Sequence, residues 1–170
     1  MNRPDLEKVP TFYRGYVEKV PEGDLMSLMI ESRDKVLDVI QGIPEEKGDF
    51  AYAEGKWTIK ELISHLSDSE RVFAYRALRF GRADHTDLAG FEQDDYVQQS
   101  RANHLPMVEL SREFTNIRNA TIDLYNAFDE KALARFGSAN GFRIDVNTLG
   151  YIIIGHTTHH LKVLEELYLA

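Results

Sequence analysis

GYIIIGHTTHHLKVLEELYLA, residues 150–170, is the stretch whose reading decides the fold. It reads as an amphipathic α-helix that sets three histidines, His156, His159 and His160, among aliphatic side chains. With His156 as origin and an advance of about 100° per residue, Leu149, Ile152, Ile153, Val163 and Leu167 fall within about 60° of it. His160 lies about 40° to one side and His159 about 60° to the other. Two imidazoles one turn apart, His156 and His160, therefore point along the seam expected to face a core. Burying an unpaired polar ring is costly. A metal ion would satisfy both, since neutral imidazole is the commonest metal ligand. Ile154, Leu161 and Tyr168 make a second stripe about 120–160° from His156. A helix apolar on two sides is either central in its bundle or shared with a partner, so a homodimer and a helix covered within its own chain both stay open.

Working outward, three more helices are expected. Leu25, Leu28, Met29, Val36, Val39 and Ile40 recur at spacings of three and four after Gly23 and Asp24, and Gly42 with Pro44 closes that helix. The segment EEKGDFAYAEGK that follows reads as a loop or a short extended piece. Trp57 introduces the second helix. Thr58 and Glu61 fit a capping box, Ile59, Leu62, Leu66, Phe73, Ala77 and Phe80 form its stripe, and Gly81 ends it. Residues 82–105 are a long polar connection expected to hold a short helix, because structureless loops of that length are uncommon. Pro106 fits the first position of a third helix reaching about Phe128, with Val108, Phe114, Ile117, Ile122, Leu124 and Tyr125 among its apolar positions. Lys131 to Ile144 reads as loop with a short extended turn near Phe142–Ile144, and the last helix starts near Asn147. Residues 1–23, with three prolines, read as an irregular arm with a short turn around Phe12–Val17, packed through Phe12, Tyr13 and Tyr16. The expectation is one all-α domain over residues 1–170, a four-helix bundle whose long connection between its second and third helices suggests a crossover.

Composition narrows the function. The chain has 170 residues, a net charge of −8 and no cysteine. Disulfides, thiolate metal sites and a cysteine nucleophile are excluded. The acidic balance argues against a nucleic-acid surface, and no apolar run approaches a membrane span. With no apolar leader in MNRPDLEKVPTFYRGY, the reading is cytoplasmic.

His65 lies on the second helix about 80° from its stripe centre. From that shoulder it can meet the last helix near the bundle rim, with His156 and His160, and leave a coordination position open. Three histidines with one open position are the catalytic arrangement for zinc. The competing reading is of core or surface histidines donating to backbone carbonyls. His85 and His104 fall in polar connections and read as solvated. Glu61 and Asp68 flank His65 by one turn and could orient its ring; exposed carboxylates on a solvated face are the alternative. Ser69 is a weaker candidate for the same surroundings, as is His159. Among Arg71, Arg76, Arg79 and Arg82, Arg76 falls within about 20° of His65 and could hold a substrate carboxylate; a salt bridge to the GFEQDDY segment is the preferred alternative. Tyr75 and Tyr96 read as packing residues.

GKWTIKELISHLSDSERVFAYRALRF (55–80), GFEQDDYV (90–97) and GHTTHHLKVL (155–164) together resemble the DinB-like superfamily of bacterial metal-binding four-helix bundles. The resemblance runs from the FYRGYVEKV arm to the C-terminus and rests on Trp before the second helix, one histidine within it, and HxxxH in the last. It implies a metal triad of His65, His156 and His160, a divalent ion, zinc or nickel, and a homodimer. It also implies either a thiol S-transferase using a low-molecular-weight thiol or a metal-dependent hydrolase. The leading expectation is a divalent ion on three histidines that activates a thiol or water toward a small electrophile. The alternative is a non-catalytic metal- or ligand-binding dimeric stress-response protein, favoured by the lack of an evident general base.

Overall fold

A computed structural model describes residues 3–170; the first two residues of the N-terminal arm lie outside the described residues. Four long helices form the bundle: α2 (Leu25–Gln41), α3 (Ile59–Gly81), α5 (Met107–Asn126) and α7 (Val146–Val163). Shorter elements are α1 (Thr11–Val17), α4 (Gln93–Gln99), α6 (Glu130–Leu133) and the strands β1 (Phe136–Ala139) and β2 (Phe142–Asp145). Among the described residues no helix is long and apolar enough to cross a membrane.

The helix starts follow local chemistry. Asp24 and Asp145 accept from the backbone N–H three residues on, and Thr58 with Glu61 closes a full capping box. Pro106 takes the N-cap of α5, one position earlier than expected. Its extended backbone (φ −69°, ψ 151°) belongs to the residue outside the helix. Val108 then points away and is 69% exposed, while Ile117 and Leu124 are only half-buried.

The four helices pack as a ring in which α2 and α3 each touch both α5 and α7. The long 82–105 connection therefore joins neighbours, α3 and α5. The diagonal steps are α2 to α3 and α5 to α7, so the crossover expected at residues 82–105 is made elsewhere. α4 supplies the short helix expected in that connection.

Two expectations for the flanking segments change. The arm is helical at Thr11–Val17, and α1 lies on α7 at Gly155, where an added Cβ would come within 2.1 Å of the Tyr16 carbonyl oxygen. Residues 130–145 are a short helix and an antiparallel hairpin with Gly137 opposite Ile144 and Ala139 opposite Phe142. Asn140 and Gly141, at φ 52° and 74°, supply the two left-handed residues that a tight two-residue hairpin turn needs. Leu88 adds to this hairpin beside Ala139, through Leu88 N–H to Ser138 O (3.0 Å) and Asn140 N–H to Leu88 O (2.9 Å). That bridge folds the 82–105 connection over α3.

The second stripe of α7 is covered by the chain itself: Ile154, Leu161 and Tyr168 are all buried. Of the two readings left open for this stripe, the structure shows a helix covered within its own chain. Leu167, expected on the seam, is 48% exposed, because α7 runs into a π-helical turn at Leu164–Tyr168. The wider i→i+5 turn advances less than 100° per residue, so Leu164 and Tyr168 face inward and Leu167 turns out. Tyr75 and Tyr96, read as packing residues, are 50% and 47% exposed.

The core is two apolar clusters. One gathers Met29, Phe73, Ile122, Leu149 and Ile153 with the arm and hairpin. The other gathers Val36, Leu62, Leu66, Phe114, Leu161 and Leu164. On three of the four helices polar residues are buried where the two sets meet: His65 and Glu70 on α3, Arg118 on α5, His156 and Thr157 on α7. A polar belt crosses the bundle at one level.

Candidate metal centre

His65 enters the belt from α3 and His156 and His160 from α7, one turn apart. His65 Nε2 stands 3.1 Å from His156 Nε2 and 3.2 Å from His160 Nε2, and one ligating nitrogen from each of the three rings lies within 4.8 Å of the others. Four ligands at about 2.0–2.1 Å around a tetrahedral ion stand about 3.3–3.4 Å apart, so the two spacings from His65 Nε2 match those around a single small cation. His65 is more enclosed than a shoulder position suggests, at 2% exposure, because Trp57 lies over its ring at 4.7 Å.

Burial makes these rings neutral. It pushes the pKa of His65 down to about 4. It pushes His160 down to about 3, with the neighbouring imidazoles adding to the effect. His156, enclosed by Tyr16 and Phe73, is held well below its ordinary value by burial and then by His160 and His65, with the Arg118 charge a smaller contributor. A neutral imidazole carries one lone pair available to a cation. His65 Nε2 sits between two other ring nitrogens and can donate to only one of them.

The surrounding candidates divide. Ser69 Oγ lies 3.4 Å from His65 Nδ1 and is buried beside it. Glu61 is committed elsewhere: its carboxylate accepts from Thr58 N–H (2.8 Å) and from the Asn103 side chain (3.0 Å). Asp68 pairs with Arg71 (3.0 Å), which also pairs with Glu113 (2.5 Å). Helix capping and a surface ion network use these carboxylates. His159 is half-buried, stacked edge-on against Tyr16 (5.6 Å) and next to His160 (5.0 Å), and stands outside the three-nitrogen group. Burial, then Lys19, lowers its pKa too. His85 and His104 are exposed. Arg76 is buried and donates to the Ala89 carbonyl (3.0 Å), so the connection does hold it, through a backbone oxygen and not through an acidic side chain.

Three features were not anticipated. Arg118 is fully buried, its Nε 2.7 Å from Glu70 Oε1, its Nη1 3.2 Å from Met29 O and its Nη2 3.0 Å from Thr157 Oγ1. It thereby ties α5 to α2, α3 and the residue after His156. The signal was present in the sequence, since Arg118 falls at i+4 from Phe114 and i−4 from Ile122, inside the apolar stripe. Second, the Tyr168 hydroxyl donates to Trp57 O (2.8 Å), so the π-turn holds the lid over His65 and His160. Third, two separate cavities are lined by members of the cluster. One of 280 Å³ touches His156 and Ser69, and one of 470 Å³ lies among Trp57, His159, His160 and Tyr168.

A model of the DinB superfamily matches residues 28–164. A protein of Oceanobacillus iheyensis, provisionally named a metal-dependent hydrolase, is 24% identical over 126 residues, which are 73% of this chain and 72% of that one. Among solved structures, YfiT from Bacillus subtilis, described as a probable metal-dependent hydrolase with an unusual four-helix bundle topology, superposes with a TM-score of 0.73 at 14% identity. That match covers 84% of this chain and 83% of YfiT. A mycothiol-dependent maleylpyruvate isomerase superposes with a TM-score of 0.67 at 10% identity, over 98% of this chain but 64% of the isomerase. At such identities the structural matches speak to fold.

Proposed function

The chain belongs to the DinB superfamily, and on that premise we propose that it is a metal-dependent enzyme whose His65, His156 and His160 hold a divalent ion, zinc or nickel. The observation that carries this reading is the convergence of three neutral imidazole nitrogens within 4.8 Å of one another inside a buried belt. Such an ion is a Lewis acid that lowers the pKa of a group it binds and so supplies a nucleophile at neutral pH.

The chain's own residues set the conditions for that chemistry. Ser69 Oγ lies 3.4 Å from His65 Nδ1 and 3.5 Å from Nε2, and with the proton on Nδ1 the Nε2 lone pair faces His156 and His160. Trp57 and Tyr16 shield the rings from water, which strengthens every polar interaction inside the site. No carboxylate is hydrogen-bonded to the three rings among the described residues. Water attack ordinarily calls on such a base. A thiol ionises near pH 8.5 without one, so the donor set favours a low-molecular-weight thiol as nucleophile over water. Two cavities lined by members of one cluster point the same way, because transfer of a thiol to an electrophile has two organic reactants to seat.

Metal content of the purified protein, measured by plasma mass spectrometry, tests the centre. Wild type and His159→Ala should carry close to one equivalent, and His160→Ala much less. Negligible metal in all three sinks the proposal. Conjugation of a panel of electrophiles by the metal-loaded protein, with and without added thiol, then separates transfer from hydrolysis.

A further inference from the structure

The described residues contain three buried cationic side chains, Lys60, Arg76 and Arg118. Lys60 pairs with Glu45 and Asp49, and Arg118 with Glu70. Arg76, 2% exposed, has no carboxylate oxygen within 4.0 Å among the described residues. Its Nη2 donates to the Ala89 carbonyl, and its guanidinium lies 5.7 Å from the Phe73 ring centre. Charged side chains are almost never fully buried unless paired, since an uncompensated buried charge is costly. A guanidinium carries five N–H donors in a planar fork that matches a carboxylate. Arg76 uses one of them on Ala89.

The unpaired charge lines a space. The 280 Å³ cavity lies between α1, α3 and the 82–105 connection, walled by Tyr13, Tyr16, Phe73 and Phe91, with Arg76 and His156 also on its lining. The connection meets Arg76 at Ala89, the residue after Leu88, which bridges to Ala139. Glu92, exposed on the same lining, is the chain's own carboxylate nearest in kind, yet it does not close on the guanidinium. The volume is at the small end for organic ligands, and the walls are aromatic.

We infer that this cavity is a binding subsite for a small organic acid with a flat apolar body, its carboxylate held by Arg76 and its other end directed toward His156. That the acid is also the electrophilic substrate of the histidine centre rests on the function proposed above; the anion subsite itself does not.

Benzoate and its neutral isostere benzamide are the probes, titrated calorimetrically into the full chain as purified and again after chelator treatment. Benzoate should bind at least tenfold more tightly than benzamide in both preparations, and Arg76→Gln should bring the two within about twofold. Equal binding of the two probes by the wild type overturns the inference without any variant. So does a preference that vanishes on chelation, which would place the carboxylate on the metal, and so does a preference that survives Arg76→Gln. Absence of metal from the purified protein would defeat the proposed enzyme and leave the predicted benzoate preference standing.

Discussion

Replacing Arg118 by Met, with Glu70 left in place, is the sharpest test of how the belt is held. The guanidinium makes three directed contacts, to Glu70, Met29 O and Thr157, with no exposure to solvent. Glu70 is 2% exposed and its Oε2 already has no partner, so the variant strands a carboxylate in the core. Breaking a buried pair by removing one member costs about 3–5 kcal/mol. For a chain of this length each kcal/mol moves the melting temperature by about 2–4 °C, so the loss should be about 6–20 °C. Replacing both partners, Arg118→Met with Glu70→Leu, removes the stranded charge and should recover most of the loss, since apolar replacements of buried pairs are often neutral or better. Urea unfolding of wild type, both single variants and the double variant gives the coupling energy directly. A single variant that loses less than about 1 kcal/mol, or a double variant as unstable as the sum of the singles, would refute the argument.

Other consequences are as specific. Gly155→Ala puts a methyl group against the Tyr16 carbonyl and should push α1 off α7, costing about 1–3 kcal/mol and speeding proteolytic cleavage near residues 11–17. Unchanged stability and cleavage would contradict the close approach. Trp57 is the chain's one tryptophan and lies against His65 and His160, so its fluorescence reports on the site; nickel addition should quench it in wild type and not in His160→Ala. Tyr168→Phe removes the bond to Trp57 O, costing about 1 kcal/mol and changing the Trp57 emission, whereas unaltered emission would show that the lid needs no such anchor. For the metal-stripped chain the sign of the pH effect follows from depressed folded values. As pH falls through 6.5 the unfolded chain takes up protons first, so stability falls until pH passes about 4 for His65 and about 3 for His160. At about 1.4 kcal/mol per pH unit of separation, His65 alone accounts for up to about 3 kcal/mol. Denaturation midpoints that stay flat from pH 7 to 4 after chelation would contradict it.

The four helices were legible because each announces itself twice, by a stripe and by its ends. Asp24, Thr58 with Glu61, and Asp145 stand where caps belong, and Gly42 and Gly81 where helices stop. His65, His156 and His160 were legible because helical periodicity fixes directions around an axis. The packing of one helix on another was not legible, because ring order depends on which stripes meet, and the 82–105 connection is equally long whether it joins neighbours or crosses the bundle. The hairpin was missed although Asn140–Gly141 is the strongest short hairpin signal; its strands are four residues each, too short for alternation to register. Glu61 and Asp68 show a different limit of sequence reading. Helical spacing places a carboxylate one turn from His65, and cannot say whether Thr58 and Asn103, or Arg71, will claim it first.

The buried pair and the histidine cluster belong to one electrostatic arrangement. The Arg118 charge helps hold His156 neutral, which is the form that can ligate. Alone in a medium of low dielectric, that same charge would repel a divalent cation a few residues away. Glu70, against the guanidinium, offsets part of that field while leaving the short-range donors to Thr157 and Met29 O in place. The pair thus fixes α7 beside His156 while carrying no net charge of its own. By the same reasoning Glu70→Gln should be worse for metal affinity than for stability. It keeps a hydrogen-bond acceptor for Arg118 and exposes the cluster to an uncompensated positive charge. Metal affinity of Glu70→Gln, measured by competition with a chelator, should fall at least tenfold while its urea midpoint moves less than that of Arg118→Met. An unchanged affinity would mean that the belt supports the cluster mechanically and that its charges are irrelevant to the ion.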